Sequence, residues 1–60
     1  MEDIDKMIGA IARLPDGGLV KIEAVYADGY ARVERIEGEF AGMIAICHFD
    51  KLQLVKAAST

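Results

Sequence analysis

Apolar and polar positions alternate with period two along much of the chain. From Leu19 to Tyr26, Val20, Ile22, Ala24 and Tyr26 fall on one face of a strand, with Lys21 and Glu23 on the other. From Tyr30 to Ile36, Ala31, Val33 and Arg35 share a face, with Tyr30, Arg32 and Glu34 opposite. Asp28-Gly29 lies between the two runs and is a strong hairpin signal. Upstream, Gly-Ala-Ile-Ala-Arg-Leu from Gly9 to Leu14 reads as a strand leading into Pro15-Asp16-Gly17-Gly18. There proline presets the first turn angle and glycine accepts the positive one. Glu37 to Gly42 reads as a loop, Asp50-Lys51-Leu52 as a 3₁₀ turn capped by Asp50, and Gln53-Leu54-Val55 as a last strand.

One stretch breaks the alternation. Met43-Ile44-Ala45-Ile46-Cys47-His48-Phe49 is apolar on both faces until His48. Such a run predicts a strand covered on both sides. It would lie at the centre of a closed barrel or against a second copy of the chain. The N-terminal segment, residues 1–8, has two readings. Ile4, Met7, Ile8, Ile11 and Leu14 recur at helical spacing, but Gly9 weakens a helix interior. The preferred reading is one helical turn at most before Gly9. Residues 9–55 then form the domain and 56–60 a polar tail. The expected fold is all-β, a five-stranded small barrel with a 3₁₀ turn before the last strand.

Length sharpens this. A domain of 60 residues buries only about 60% of its unfolded surface and needs extra support. One cysteine excludes an intramolecular disulfide, and one cysteine with one histidine cannot close a zinc site. Partner subunits remain, and a hydrophobic content of 53% favours them. The expected interface is Met43, Ile44, Ile46, His48 and Phe49. A bland alternative folds Ile4, Met7 and Ile8 across the outer face of that strand. The net charge of −3 and the scattered basic residues disfavour nucleic acid. Arg32 and Arg35 could still make a local basic patch, though a solvated face is the commoner outcome. No apolar stretch is long enough to span a bilayer as a helix. A free thiol and an N-terminus without a signal peptide's charged region suggest the cytoplasm.

Candidate chemistry is sparse. Cys47 and His48 are neighbours in a strand, so their side chains point to opposite faces and make a poor nucleophile–base pair. Tyr26, Tyr30 and Phe40 could line an aromatic groove, but core and loop packing are simpler roles. Glu37 and Glu39 could act as paired carboxylates, though solvated acids are commoner. The reading assigns no catalytic, cofactor-binding or metal-binding residue, and expects no cofactor.

The Gly-x-x-x-x-Leu-Pro-Asp-Gly opening, the Asp28-Gly29-Tyr30-Ala31 hairpin and the ending Phe49 to Val55 resemble the SH3-like small barrel. That resemblance implies a fold and leaves function open. Gly29-Tyr30-Ala31 and the spacing from Gly42 through Leu52 to Val55 are also remotely similar to plasmid-borne type II dihydrofolate reductases, tetramers of such barrels. In that family the strand after the glycine carries a serine and then a Val-Gln-Ile-Tyr run lining a central pore. Here Met43, Ala45 and Cys47 replace the serine, glutamine and tyrosine, and only Ile46 matches. The pore lysine falls near Leu14-Pro15, where there is none. The resemblance implies scaffold and assembly without the reaction. The sequence therefore leads to a non-enzymatic, self-associating barrel, serving as a protein-binding module or accessory subunit. An enzyme whose site forms between subunits is the alternative, and a nucleic-acid binder is weaker. Purified protein should not turn over dihydrofolate with NADPH above a no-protein control in an absorbance assay.

Overall fold

A computed structural model of the chain describes residues 7–57. These residues form five strands and one short 3₁₀ turn: β1 (Ile11–Arg13), β2 (Leu19–Val25), β3 (Tyr30–Arg35), β4 (Ile44–His48), the turn Phe49–Lys51, and β5 (Gln53–Lys56). All pairings are antiparallel, in the order β4-β3-β2-β1-β5. The all-β class and the 3₁₀ turn before the last strand are as the sequence predicts. The N-terminal helical turn and Ile4 lie outside the described residues. Met7 packs against the core, and its carbonyl accepts the N–H of Ala10 at 3.0 Å as the chain enters β1.

The two tight turns use the same chemistry. In each, an Asp-Gly pair reverses the chain, and the residue before the turn both accepts and donates across its mouth. Leu14 accepts from Gly17 at 2.8 Å and donates to Gly18 at 2.8 Å. Tyr26 accepts from Gly29 at 3.0 Å and donates to Tyr30 at 2.7 Å. The aspartates finish the job: Asp16 Oδ1 accepts the Gly18 N–H at 2.8 Å, and Asp28 Oδ1 the Tyr30 N–H at 3.2 Å. Gly17 and Gly29 take φ of +93° and +92°, a region that side chains disfavour.

The buried apolar residues among those described are Ala10, Ala12, Leu14, Val20, Ile22, Ala31 and Val33. They sit on one face of the sheet, with Met7, Val25, Ala45, Cys47 and Leu52 packed around them. Ile22 pairs with Val33, and Ala31 faces Cys47 across β3–β4. This agrees with the alternation read from β2 and β3, with one correction. The register shifts between Ile22 and Ala24, so β2 bulges at Glu23. Beyond it Val25, opposite Ala31, packs on the core, while Ala24 pairs with Arg32 on the other face. Tyr26 is exposed. A bulge inserts one residue into the strand, so every later side chain changes face.

Two further expectations need correcting. The sheet is open, not closed into a barrel, and β4 is one of its edges rather than its centre. Closure would need β4 to pair with β5. The 3₁₀ turn prevents that, because His48 before it and Leu52 after it are both extended and carry the chain across to β1. The turn also begins one residue earlier than expected. His48, not Asp50, caps it, with Nδ1 accepting the Asp50 N–H at 3.3 Å. Asp50 falls in the first turn, where a carboxylate favours the exposed N–H groups.

With so small a core, a single methylene matters. Ile22→Val should destabilise the protein by about 0.5–1.5 kcal/mol, read as a lower urea midpoint at unchanged slope.

Candidate functional site

The registers of β3 and β4 place Tyr30 beside His48, Arg32 beside Ile46, and Glu34 beside Ile44. These six side chains share the outer face of the sheet, away from the core. Ala45 and Cys47 point the other way and pack on the core. Of the expected interface residues, Ile44, Ile46 and His48 are thus brought together on this face, while Met43 and Phe49 lie at its two ends. Met43 is 56% exposed, Ile44 51%, Ile46 56% and Phe49 38%. Phe49 is partly covered by the stacked His48 ring. Ile8, which could have crossed this face, is itself exposed.

One end of this surface is built around His48. Its ring meets Tyr30 edge-on, with centroids 5.2 Å apart, and stacks on Phe49 at 5.5 Å and 14°. Beneath it lies Gly29, where a Cβ would come within 2.7 Å of Nε2. The Phe49 N–H donates to the Gly29 carbonyl at 2.9 Å, tying the end of β4 to the hairpin turn. Asp50 Oδ2 stands 3.4 Å from Nδ1. His48 is thus a cap and a packing residue, with its imidazole in contact with Phe49, Tyr30 and the Gly29 backbone. Cys47 is half-buried on the opposite side of the strand, and burial pushes its thiol pKa up, away from the reactive thiolate. The two do not form a catalytic pair.

Behind the apolar strip lies a charged patch. Arg32 Nε is 3.8 Å from Glu23 Oε1, and Glu34 stands close enough to Glu23 for that carboxyl to push its pKa up. Arg35 turns elsewhere. Its Nη2 donates to Asp16 Oδ2 at 2.7 Å, and its guanidinium lies against Gly18, where a Cβ would overlap it. The two arginines go to different carboxylates and make no joint basic patch. Asp16, Gly18, Arg35, Glu37 and Phe40 line an open depression of about 390 Å³. With Asp16 holding the guanidinium and Glu37 beside it, this depression is not an anion site. Phe40 belongs here, whereas Tyr30 lies at the far end of β3. An aromatic groove of Tyr26, Tyr30 and Phe40, the less favoured reading of the sequence, is therefore not assembled. Glu39 is exposed and does not line the depression beside Glu37. Among the described residues, no group of three or more His, Cys, Asp or Glu side chains could hold a metal ion, and no helix is long and apolar enough to cross a membrane.

Two predictions follow from this geometry. Gly29→Ala pays both for its positive φ and for contact with His48, so it should cost about 1–3 kcal/mol in urea unfolding. Adding His48→Ala should cost less in this background than in the native one, because the contact is gone while the backbone cost stays. Asp16 has the second signature. Its hydrogen bond from Arg35, aided by the Gly18 N–H, lowers its pKa. A depressed carboxylate stabilises the fold above its unfolded pKa, and that contribution is lost as pH falls through the folded value. Asp16→Asn should flatten part of the acid limb of stability against pH, by a small amount because the pair is exposed.

No protein-family model matches this chain, and no curated protein or solved structure matches it.

Proposed function

We propose that this chain is a non-enzymatic, self-associating β module, a protein-binding module or small accessory subunit whose working surface is the outer face of β4. The five strands and the 3₁₀ turn before the last also support an SH3-like relationship, which we retain as part of the proposal.

The observation that carries the reading is an imbalance of apolar burial. The largest fully buried side chains are Ile22, Val20 and Val33, and three of the buried core residues are alanines. Ile44, Ile46 and Tyr30 stand exposed as a strip on the outer face, and Met43 and Phe49 are exposed at the two ends of β4. Each large apolar side chain left in water forgoes roughly 1.5–3 kcal/mol. A domain of this size has only a few kcal/mol of net stability. Covering the strip with a second copy recovers that burial, and a two-fold arrangement is the commonest way to do so. The chemistry around the strip supports a binding role over catalysis. His48 is occupied by packing and by capping the 3₁₀ turn beside Asp50, Cys47 is turned inward, and Glu23 and Glu34 on the outer face are partnered with Arg32 or with each other.

Sedimentation velocity at micromolar concentration should show a species larger than the 6.5 kDa monomer. Ile46→Lys should shift it to monomer while the β-type dichroism spectrum persists, whereas Val33→Lys should abolish folding. A monomer alone in the native protein would overturn the proposal.

A further inference from the structure

The backbone of β4 says how a second copy would attach. Arg35 N–H donates to the Met43 carbonyl, and Phe49 N–H to the Gly29 carbonyl, each at 2.9 Å. With Val33 opposite Ala45 and Ala31 opposite Cys47, the hydrogen-bonded positions of β4 toward β3 are Met43, Ala45, Cys47 and Phe49. The residues between them, Ile44, Ile46 and His48, therefore direct their N–H and C=O groups away from β3. Since β4 is an edge strand, no described strand takes them up.

This free row is symmetric about Ile46. We infer that β4 pairs antiparallel with β4 of a second copy about a two-fold axis at Ile46, joining two sheets into one. The inference rests on the self-association proposed above and specifies its geometry. In this register Ile46 faces its own copy, and Ile44 faces His48 of the other copy. All three residues then donate and accept, for roughly six interchain hydrogen bonds. Any other antiparallel register leaves part of the row unpaired.

Charge agrees. His48 is the single titratable basic residue between Glu39 and Asp50, and in this register it faces Ile44 of the other copy, so the seam sets no like charges directly opposite each other. The nearest outer-face charges, Arg32 and its copy, end up three strand spacings apart, about 14 Å, beyond the screening length at physiological salt. The strand also lacks the lysines, prolines and bulges that usually guard an edge. The opposite edge is different. β5 is flanked by Lys51 and ends on Lys56, and its ladder with β1 carries a register shift. Pairing β4 with β5 of a copy would be heterologous and open-ended, whereas β4 with itself closes.

The test uses single cysteines in a Cys47→Ala background, oxidised mildly and read on a non-reducing gel. With Ile46→Cys, the two copies of residue 46 face each other with Cα atoms about 5.5 Å apart, within disulfide reach, and should cross-link almost completely. With Ile44→Cys, the copies lie about 14 Å apart along the seam and should stay single. On the unmodified protein, amide exchange at Ile44, Ile46 and His48 should slow as concentration rises through the association range. If the protein associates but residue 46 fails to cross-link, or residue 44 cross-links as readily, or these three amides exchange at the same rate at every concentration, the edge pairing is wrong while self-association stands. If the native protein sediments only as a monomer, both fall.

Discussion

The packing of β2 against β3 is what everything else depends on. Ile22 opposite Val33 and the neighbouring Val20 supply the bulk of the core, and β1 and β4 add mainly alanines and a cysteine around them. A sheet has two faces, and this chain has large apolar side chains enough to bury only one from within. Burying Val20, Ile22 and Val33 fixes which residues of β4 point inward, because the pleat alternates strictly. Ala45 and Cys47 go in, and the isoleucines between them go out. The bare strip is thus a direct consequence of the β2–β3 core.

Local chemistry and chain topology meet at the end of β4. His48 caps the 3₁₀ turn, packs between Tyr30 and Phe49, and rests on a glycine that the hairpin turn already needs for its positive φ. That single side chain couples the β2–β3 turn to the departure of the chain toward β5. The same turn sends β5 to β1 and leaves β4 without a neighbour on one side. An open edge and an uncovered apolar face therefore arise together on one strand. A partner paired on this edge would set Ile44, Ile46 and His48 beside their counterparts on the same face, because the residues with free backbone groups are also those with outward side chains.

The charged groups play a smaller part. Asp16 with Arg35 pins the β1–β2 turn to the end of β3, and the exposed geometry keeps its contribution modest. Glu34 acts in the opposite sense. Its pKa is raised by Glu23, so its contribution is present at low pH and is lost as pH rises through its titration. Neither pair has the burial or the isolated partner that acid–base chemistry would demand.

Much of the fold was legible in the residues alone. Period-two alternation marked β2 and β3, and Pro-Asp-Gly and Asp-Gly marked the turns, because these depend on neighbours along the chain. The opposite facing of Cys47 and His48 followed from strand geometry by itself. Three features were not legible. The bulge at Glu23 leaves no mark in an otherwise regular alternation, since Ala24 and Val25 are both apolar and either could turn inward. The 3₁₀ cap fell to His48 rather than Asp50 because the imidazole is held in place by Tyr30, Gly29 and Phe49, contacts from a distant turn and the next residue. The position of β4 was the largest difference. An apolar run reads as a covered strand, and the sequence cannot say what does the covering. Only the route of the chain after His48, set by pairing between β5 and β1, decided that β4 would be an edge.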